Sequence, residues 1–124
     1  MSDFKELVKY CKKASELDPW VLKRGLAGYC EELNDEAQEV IEAMNNNDFK
    51  NLKEEAGDVL HDWIMLCLIA EKQGLFTMED AMDEVLEKMQ RRRPYIKENK
   101  KVSLDEARKI WKMVKQEEKE RKNG

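Results

Sequence analysis

Helical periodicity runs through almost the whole 124-residue chain, and few residues interrupt it. Only two prolines and five glycines are present, and apolar side chains recur at intervals of three or four residues. This spacing places them on one face of an α-helix, where they can pack against a neighbouring element. We therefore predict an all-α fold, a helical bundle of about five helices.

The predicted helices have recognisable start and stop signals. Asp18 followed by Pro19 is typical of an N-cap and a first helical position, and Gly74 is a good C-terminal stop. Ser103 and Glu106 have the spacing of a capping box. The charged end, about 117–124, is expected to fray. The predicted helices span 4–17, 18–45, 48–73, 77–94 and 103 onward.

Two acidic pairs with the same spacing lie on either side of one predicted turn. Glu36 and Glu39 are on the second helix, and Glu55 and Asp58 are on the third. Because residues three apart share a helix face, each pair points its carboxylates the same way. The polar run from Asn45 to Asp48 indicates a tight turn, so the helices form an antiparallel hairpin. In that hairpin Glu39 faces Glu55, and Glu36 faces Asp58.

Four carboxylates at one level of a hairpin would repel one another strongly without a cation between them. Hard oxygen ligands without a histidine or thiolate suit Mg²⁺, with Mn²⁺ as a possible substitute. We therefore predict a metal site formed by Glu36, Glu39, Glu55 and Asp58. The alternative is that each pair lies on an ordinary solvated face, which is the usual position of carboxylates.

Composition narrows the class of protein further. The chain has 27 acidic and 23 basic residues and a net charge of -4, which gives no general reason to expect nucleic-acid binding. The longest apolar run, 63–70, is too short to span a bilayer, and no apolar signal region is apparent. Three cysteines without a Cys-x-x-Cys pair favour reduced thiols and a cytoplasmic location. These are Cys11, Cys30 and Cys67.

The second half of the third helix needs several neighbours. The segment 59–70 is apolar on nearly all faces, so we expect a bundle or a dimer core around it. A homodimer or higher homo-oligomer is therefore predicted. His61, the only histidine, is adjacent to this segment's apolar residues and is expected to be a core residue or one that supports a metal ligand.

The acidic segments resemble a known family. Segments 35–44 and 54–60 read DEAQEVIEAM and EEAGDVL, and they are similar to the paired acidic motifs of MazG-type nucleoside triphosphate pyrophosphohydrolases, members of the all-α NTP pyrophosphatase superfamily. Segments 88–95 and 111–115, KMQRRRPY and WKMVK, resemble the basic elements that follow in that family. The resemblance covers roughly residues 18–115. It departs at Asp35, where the family has glutamate, and in the loop after Trp20.

The resemblance implies a single MazG-like domain over residues 1–124 and a specific reaction. In this family water attacks the α-phosphorus of a nucleoside triphosphate, which yields a monophosphate and pyrophosphate. The matched metal ligands are the four carboxylates named above, and either Glu36 or Glu39 acts as the base. Because positions four apart on a helix share a face, each pair of basic-segment residues can reach one substrate. The matched substrate contacts are Lys88, Arg92, Trp111 and Lys115.

A second class of function stays open at this stage. The chain could be a non-catalytic helical protein that keeps the scaffold and binds a partner or regulates one. Within the enzyme class, neither the base nor the sugar of the nucleotide can be predicted from these motifs.

Overall fold

The computed structural model describes residues 2–123, most of which are helical, and no strand occurs among them. The all-α prediction is confirmed. None of these helices combines the length and apolar character that crossing a membrane requires. The six helices are α1 (Phe4–Leu17), α2 (Pro19–Asn45), α3 (Phe49–Lys72), α4 (Met78–Arg92), α5 (Pro94–Lys97) and α6 (Leu104–Asn123).

The helix ends follow the chemistry of their capping residues. The Asp18 carboxylate accepts a hydrogen bond from the Trp20 backbone N–H at 3.0 Å, and the Ser103 hydroxyl accepts one from the Glu106 N–H at 3.2 Å. Pro94, expected to terminate the fourth helix, also begins the one-turn helix α5 after α4 has ended at Arg92. Its ring sets φ for a helix start, so this proline both stops one helix and opens another.

The turn between α2 and α3 is a Schellman motif with asparagine in the left-handed position. Asn47 has φ 54°, the Asp48 N–H donates to the Ala43 carbonyl at 2.9 Å, and the Asn47 N–H donates to the Met44 carbonyl at 3.1 Å. Asp48 then caps α3 by accepting from the Asn51 N–H at 3.2 Å. The chain thus reverses within three residues, and α3 packs back along α2.

The described residues form two compact units, one ending at Met78 and the other beginning at Glu79. In the first unit, α3 packs against both α2 and α1. Helices α1 and α2 of the same chain therefore bury much of the apolar half of α3. The core side chains of α3 are Ile64, Met65, Cys67, Leu68, Ile69 and Ala70. In the second unit Val114 is the buried residue of α6, which continues through the charged end to Asn123.

Helix α2 is interrupted at Gly25. This residue has φ 65° and ψ -169°, a conformation that is essentially restricted to glycine. Two helical segments therefore meet at Gly25, and the longer one carries the acidic residues. Gly57 on α3 has ordinary helical geometry, and a Cβ there would meet nothing within 4 Å.

Replacing Gly25 should destabilise the protein, whereas the matched replacement of Gly57 should not. We expect Gly25→Ala to lower the free energy of unfolding by about 1–3 kcal/mol, because alanine is strained at this φ and ψ. Gly57→Ala should raise it by about 0.5–1 kcal/mol, because a helix interior favours alanine. Urea denaturation of both variants checks this, and equal effects would contradict the strained conformation at Gly25.

Candidate active site

Three of the four predicted metal ligands meet on the α2–α3 hairpin. Glu36, Glu39 and Glu55 each offer a carboxylate oxygen, and these oxygens lie within 4.8 Å of one another. Glu39 is exposed, whereas Glu36 and Glu55 are half-buried. Glu39 and Glu55 are each eight residues from Asn47, so the turn places them at the same level. We call these three residues the first carboxylate cluster.

Asp58 lies next to this cluster but outside it. Its side chain is exposed on α3, one turn after Glu55, and it does not belong to the group of oxygens within 4.8 Å. Its negative charge nevertheless raises the pKa of Glu36 and of Glu55. Asp58 is therefore close enough to act on the cluster electrostatically.

The pKa of each carboxyl in the first carboxylate cluster is raised. The contact with Glu36 raises the pKa of Glu55, and the contact with Glu55 raises that of Glu39. For Glu36, the contact with Glu55 lowers the pKa, but burial and the charges of Glu39 and Asp58 offset it, so its pKa is also raised. Ionising all three carboxyls at this distance costs free energy, because the like charges repel one another.

The donor set fits a divalent cation that prefers oxygen. Glu36 Oε2 and Glu55 Oε2 are buried, and no hydrogen-bond donor among residues 2–123 reaches them. Buried carboxylate oxygens are normally paired, because leaving them unpaired is costly. A hard cation would satisfy both atoms and remove the repulsion, and the site contains no sulfur ligand that would favour a softer metal.

A second group of carboxylates was missed by the sequence analysis. Glu32, Glu36 and Asp62 also offer oxygens within 4.8 Å of one another. The signal was present, because Glu32 and Asp62 are each fifteen residues from Asn47, so the same fold-back places them opposite each other. We call these three residues the second carboxylate cluster.

His61 is not a core residue. Its side chain is 38% exposed, and its Nδ1 lies 3.1 Å from Asp62 Oδ1. The ring also makes an edge contact with Tyr29, at 6.5 Å between centroids. Of the two alternatives expected for this residue, its exposure excludes the core position, and the role of supporting a metal ligand stays a prediction. Its contact with a carboxylate is the arrangement expected of a residue that supports a metal ligand.

The predicted substrate contacts lie in the second unit, where Arg92 contacts both an acidic and an aromatic side chain. It donates to Glu118 at 3.0 and 3.2 Å, and its guanidinium carbon lies 5.0 Å from the centre of the Trp111 ring. Lys115 Nζ lies 5.9 Å from the same ring. Lys88 is half-buried on the same helix as Arg92. Arg92, Trp111 and Lys115 thus form one group of contacts.

Glu118 is the residue that the sequence analysis did not anticipate in the second unit. The hydrogen bond from Arg92 and then that from Arg91, at 3.0 Å, lower its pKa to about 2 despite partial burial. Sequence reasoning had placed Glu118 in a frayed, solvated run. Its spacing of seven residues from Trp111 puts it on the same face of α6, and this was the available signal.

Without metal, replacing Glu55 should stabilise the protein at neutral pH. The folded cluster holds protons that the unfolded chain has released, so the free energy of unfolding falls as pH rises from about 4.5 through the raised pKa values. We expect Glu55→Gln in EDTA to melt higher than wild type at pH 7.5, and the difference to shrink toward pH 4.5. Glu54→Gln, an exposed neighbour, is the control. A variant less stable than wild type at pH 7.5 would contradict the repulsion.

Comparison with known proteins places this hairpin in a family. The family described as "MazG nucleotide pyrophosphohydrolase domain" matches residues 25–97, which include both carboxylate clusters. The chain is 33% identical over 123 residues to the nucleoside triphosphate pyrophosphohydrolase/pyrophosphatase MazG of Thermotoga maritima, covering 98% of this chain and 47% of that protein. It is 33% identical over 102 residues to an uncharacterized protein of Bacillus subtilis, YabN, covering 82% of this chain and 21% of that protein.

A solved structure is similar to this chain over most of its length. The crystal structure of a mazG-related protein from Thermotoga maritima aligns with a TM-score of 0.84 and 34% sequence identity, covering 90% of this chain and 98% of that chain. The curated relatives are longer, since the chain spans only about a fifth to a half of their length. From its acidic hairpin, its family match and this structural likeness, the chain belongs to the MazG nucleotide pyrophosphohydrolase domain family.

Proposed function

We propose that the protein is a Mg²⁺-dependent nucleoside triphosphate pyrophosphohydrolase. It converts a (d)NTP and water into a (d)NMP and pyrophosphate. The observation that carries the proposal is the first carboxylate cluster, in which buried oxygens of Glu36 and Glu55 lack hydrogen-bond partners among residues 2–123. The family match and the likeness to a nucleoside triphosphate pyrophosphohydrolase support the substrate class.

The proposed ligands of the cation, Mg²⁺ or its substitute Mn²⁺, are Glu36, Glu39, Glu55 and Asp58. When bound, the cation supplies positive charge for the phosphate oxygens and lowers the pKa of the attacking water. The hairpin contributes rigidity, because each ligand lies on a long helix whose neighbour is packed against it. An acidic site can receive a triphosphate only with its charge neutralised in this way.

Glu39 is the carboxylate we assign to proton transfer. It is the exposed member of the cluster, so its carboxylate is the one that the attacking water can approach directly from solvent. The water oxygen attacks the α-phosphorus while its proton passes to Glu39. The bond from the α-phosphorus to the bridging oxygen breaks, and pyrophosphate leaves with that oxygen. Glu36, with one oxygen buried, serves as a ligand.

Lys88, Arg92, Trp111 and Lys115 are the proposed substrate contacts. Arg92 is held flat by Trp111 and by Glu118, so its guanidinium is already oriented for an anion. A phosphate group has the same kind of oxygen pair as the Glu118 carboxylate, and it could replace that partner. Lys115 adds positive charge beside the same ring.

Substitutions of the proposed cation ligands should impair the activity without unfolding the protein. We expect Glu39→Gln to lower kcat by about 10²–10⁴-fold, the usual loss when a general base is removed. Asp58→Asn should raise the Mg²⁺ concentration needed for half-maximal rate by about tenfold or more. The measurement is monophosphate and pyrophosphate release from a panel of NTPs and dNTPs, with Glu54→Gln as the matched control.

The same assay separates the two classes of function. A non-catalytic scaffold protein would hydrolyse no nucleotide on the panel, with Mg²⁺ or with Mn²⁺. Release of orthophosphate and a diphosphate would show that a different bond is broken. Unchanged rates in Glu39→Gln and Asp58→Asn would remove these residues from the mechanism.

We also propose that the protein is a homodimer or a larger homo-oligomer in the cytoplasm, with residues 1–124 acting as one domain. Helix α4 supports association, because Met82, Val85 and Leu86 share one face and are 40%, 51% and 57% exposed. The three cysteines are free, as expected in a reducing compartment.

Light scattering at micromolar concentration tests the assembly. We expect a mass of at least two chains, and Val85→Glu with Leu86→Glu should reduce it by placing charges on the apolar face of α4. Glu84→Gln, on an exposed neighbouring position, should leave the mass unchanged. A monomeric wild-type protein would contradict the proposal.

A further inference from the structure

The second carboxylate cluster has the features of a cation site that is separate from the first. Glu32 and Glu36 extend from α2 and Asp62 from α3, so the cluster spans the two helices of the hairpin. Asp62 is only 6% exposed, although an aspartate at this depth is unusual. Glu32 is half-buried beside it. The seven residues between Glu32 and Glu39 correspond to about 10 Å along α2, with Glu36 between the two levels.

The buried aspartate lacks a partner for one of its oxygens. Asp62 Oδ1 accepts from His61 Nδ1 at 3.1 Å, but Asp62 Oδ2 is buried and meets no hydrogen-bond donor in the part of the chain that the structure describes. Glu36 Oε2, in the same cluster, is in the same situation. Carboxylate oxygens buried in this way need a proton donor or a cation.

No side-chain cation takes that place. Among residues 2–123, neither Glu32 nor Glu36 forms an ion pair, and the one partner of Asp62 is the histidine. Arg24, whose guanidinium carbon lies 5.7 Å from the centre of the Tyr29 ring, forms no ion pair with the cluster in the described part of the chain. A solvated acidic face does not account for the cluster either, because water cannot reach Asp62 Oδ2.

We propose that Glu32, Glu36 and Asp62 bind a second divalent cation, which links α2 to α3. Oxygens that lie within 4.8 Å of one another can surround one ion, since metal–oxygen distances of about 2.0–2.6 Å place opposite ligands about 4–5 Å apart. The all-oxygen donor set selects Mg²⁺, Mn²⁺ or Ca²⁺ over softer metals. His61 positions Asp62 by its hydrogen bond to Oδ1, which leaves the buried and unpartnered Oδ2 available to the ion.

The inference rests on the proposed function only through Glu36, which serves both sites. The ion at the second cluster neutralises buried charge and holds the two helices at a fixed separation. It therefore stabilises the hairpin whether or not a nucleotide is present.

Counting bound Mn²⁺ ions tests the second site. Free Mn²⁺ is measured by electron paramagnetic resonance during titration of the intact protein, so the readout does not depend on catalysis. We expect wild type to bind two ions per chain and Glu32→Gln/Asp62→Asn to bind one. The mirror variant Glu39→Gln/Glu55→Gln should keep the ion of the second cluster, and Glu54→Gln should still bind two.

The Glu32→Gln single variant distinguishes loss of the ion from loss of the fold, because Glu32 is less buried than Asp62 and its replacement disturbs the packing less. The variant should lower the affinity for one of the two Mn²⁺ ions at least tenfold, while its circular dichroism spectrum stays helical. Binding identical to wild type in both Glu32→Gln and Glu32→Gln/Asp62→Asn would overturn the second site.

These outcomes are independent of the enzymatic proposal. If no nucleotide is hydrolysed but one ion is lost with Glu32 and Asp62, the second site stands and the proposed function fails. If nucleotides are hydrolysed and these variants bind as many ions as wild type, the proposed function stands and the second site fails.

Discussion

Packing of α3 against α1 and α2 is the interaction on which the carboxylate clusters depend. Ile64, Met65 and Leu68 are buried in this contact, and each buried side chain of this size contributes about 1.5–3 kcal/mol. Their burial holds together two helices whose facing acidic residues repel each other. The apolar half of α3 follows the acidic half directly. One helix therefore carries both the apolar side chains that pack on its neighbours and the carboxylates that repel those of α2.

The hairpin turn gives this packing its register. Asn47 is the point about which α2 and α3 fold back, and residues at equal distances from it on the two sides lie at about the same level. Asp58 is at the same distance as Glu36 but remains outside the first carboxylate cluster. Glu39 with Glu55 and Glu32 with Asp62 follow this rule at eight and fifteen residues. Both clusters are therefore consequences of a single turn, and Glu36 belongs to both because it lies between the two levels.

The second unit is organised by charge rather than by a large core. Glu118 joins Arg91 and Arg92 across α4 and α6, and Trp111 supports Arg92 from one side of its plane. Arginine suits this arrangement because its planar group can bind a carboxylate and stack on an aromatic ring at once. Val114 is the buried residue of α6, whereas Met82, Val85 and Leu86 of α4 are exposed.

Local chemistry made much of this structure predictable. Helical periodicity, the caps at Asp18 and Ser103, and the polar run ending at Asp48 act over a few residues, so a sequence shows them directly. The pairing of Glu39 with Glu55 followed from the turn alone. The break at Gly25 was not predicted, because a glycine in a helical pattern does not show which backbone conformation it will adopt.

The sequence by itself determined the helices, the hairpin and the facing of the first acidic residues, since these depend on spacing and on turn chemistry. Only the tertiary structure decided that Asp58 lies outside the first cluster, that Asp62 is buried without a partner for one oxygen, and that Glu118 holds two arginines. Burial and side-chain pairing depend on which faces of separate helices meet. That information is absent from the periodicity of any single helix.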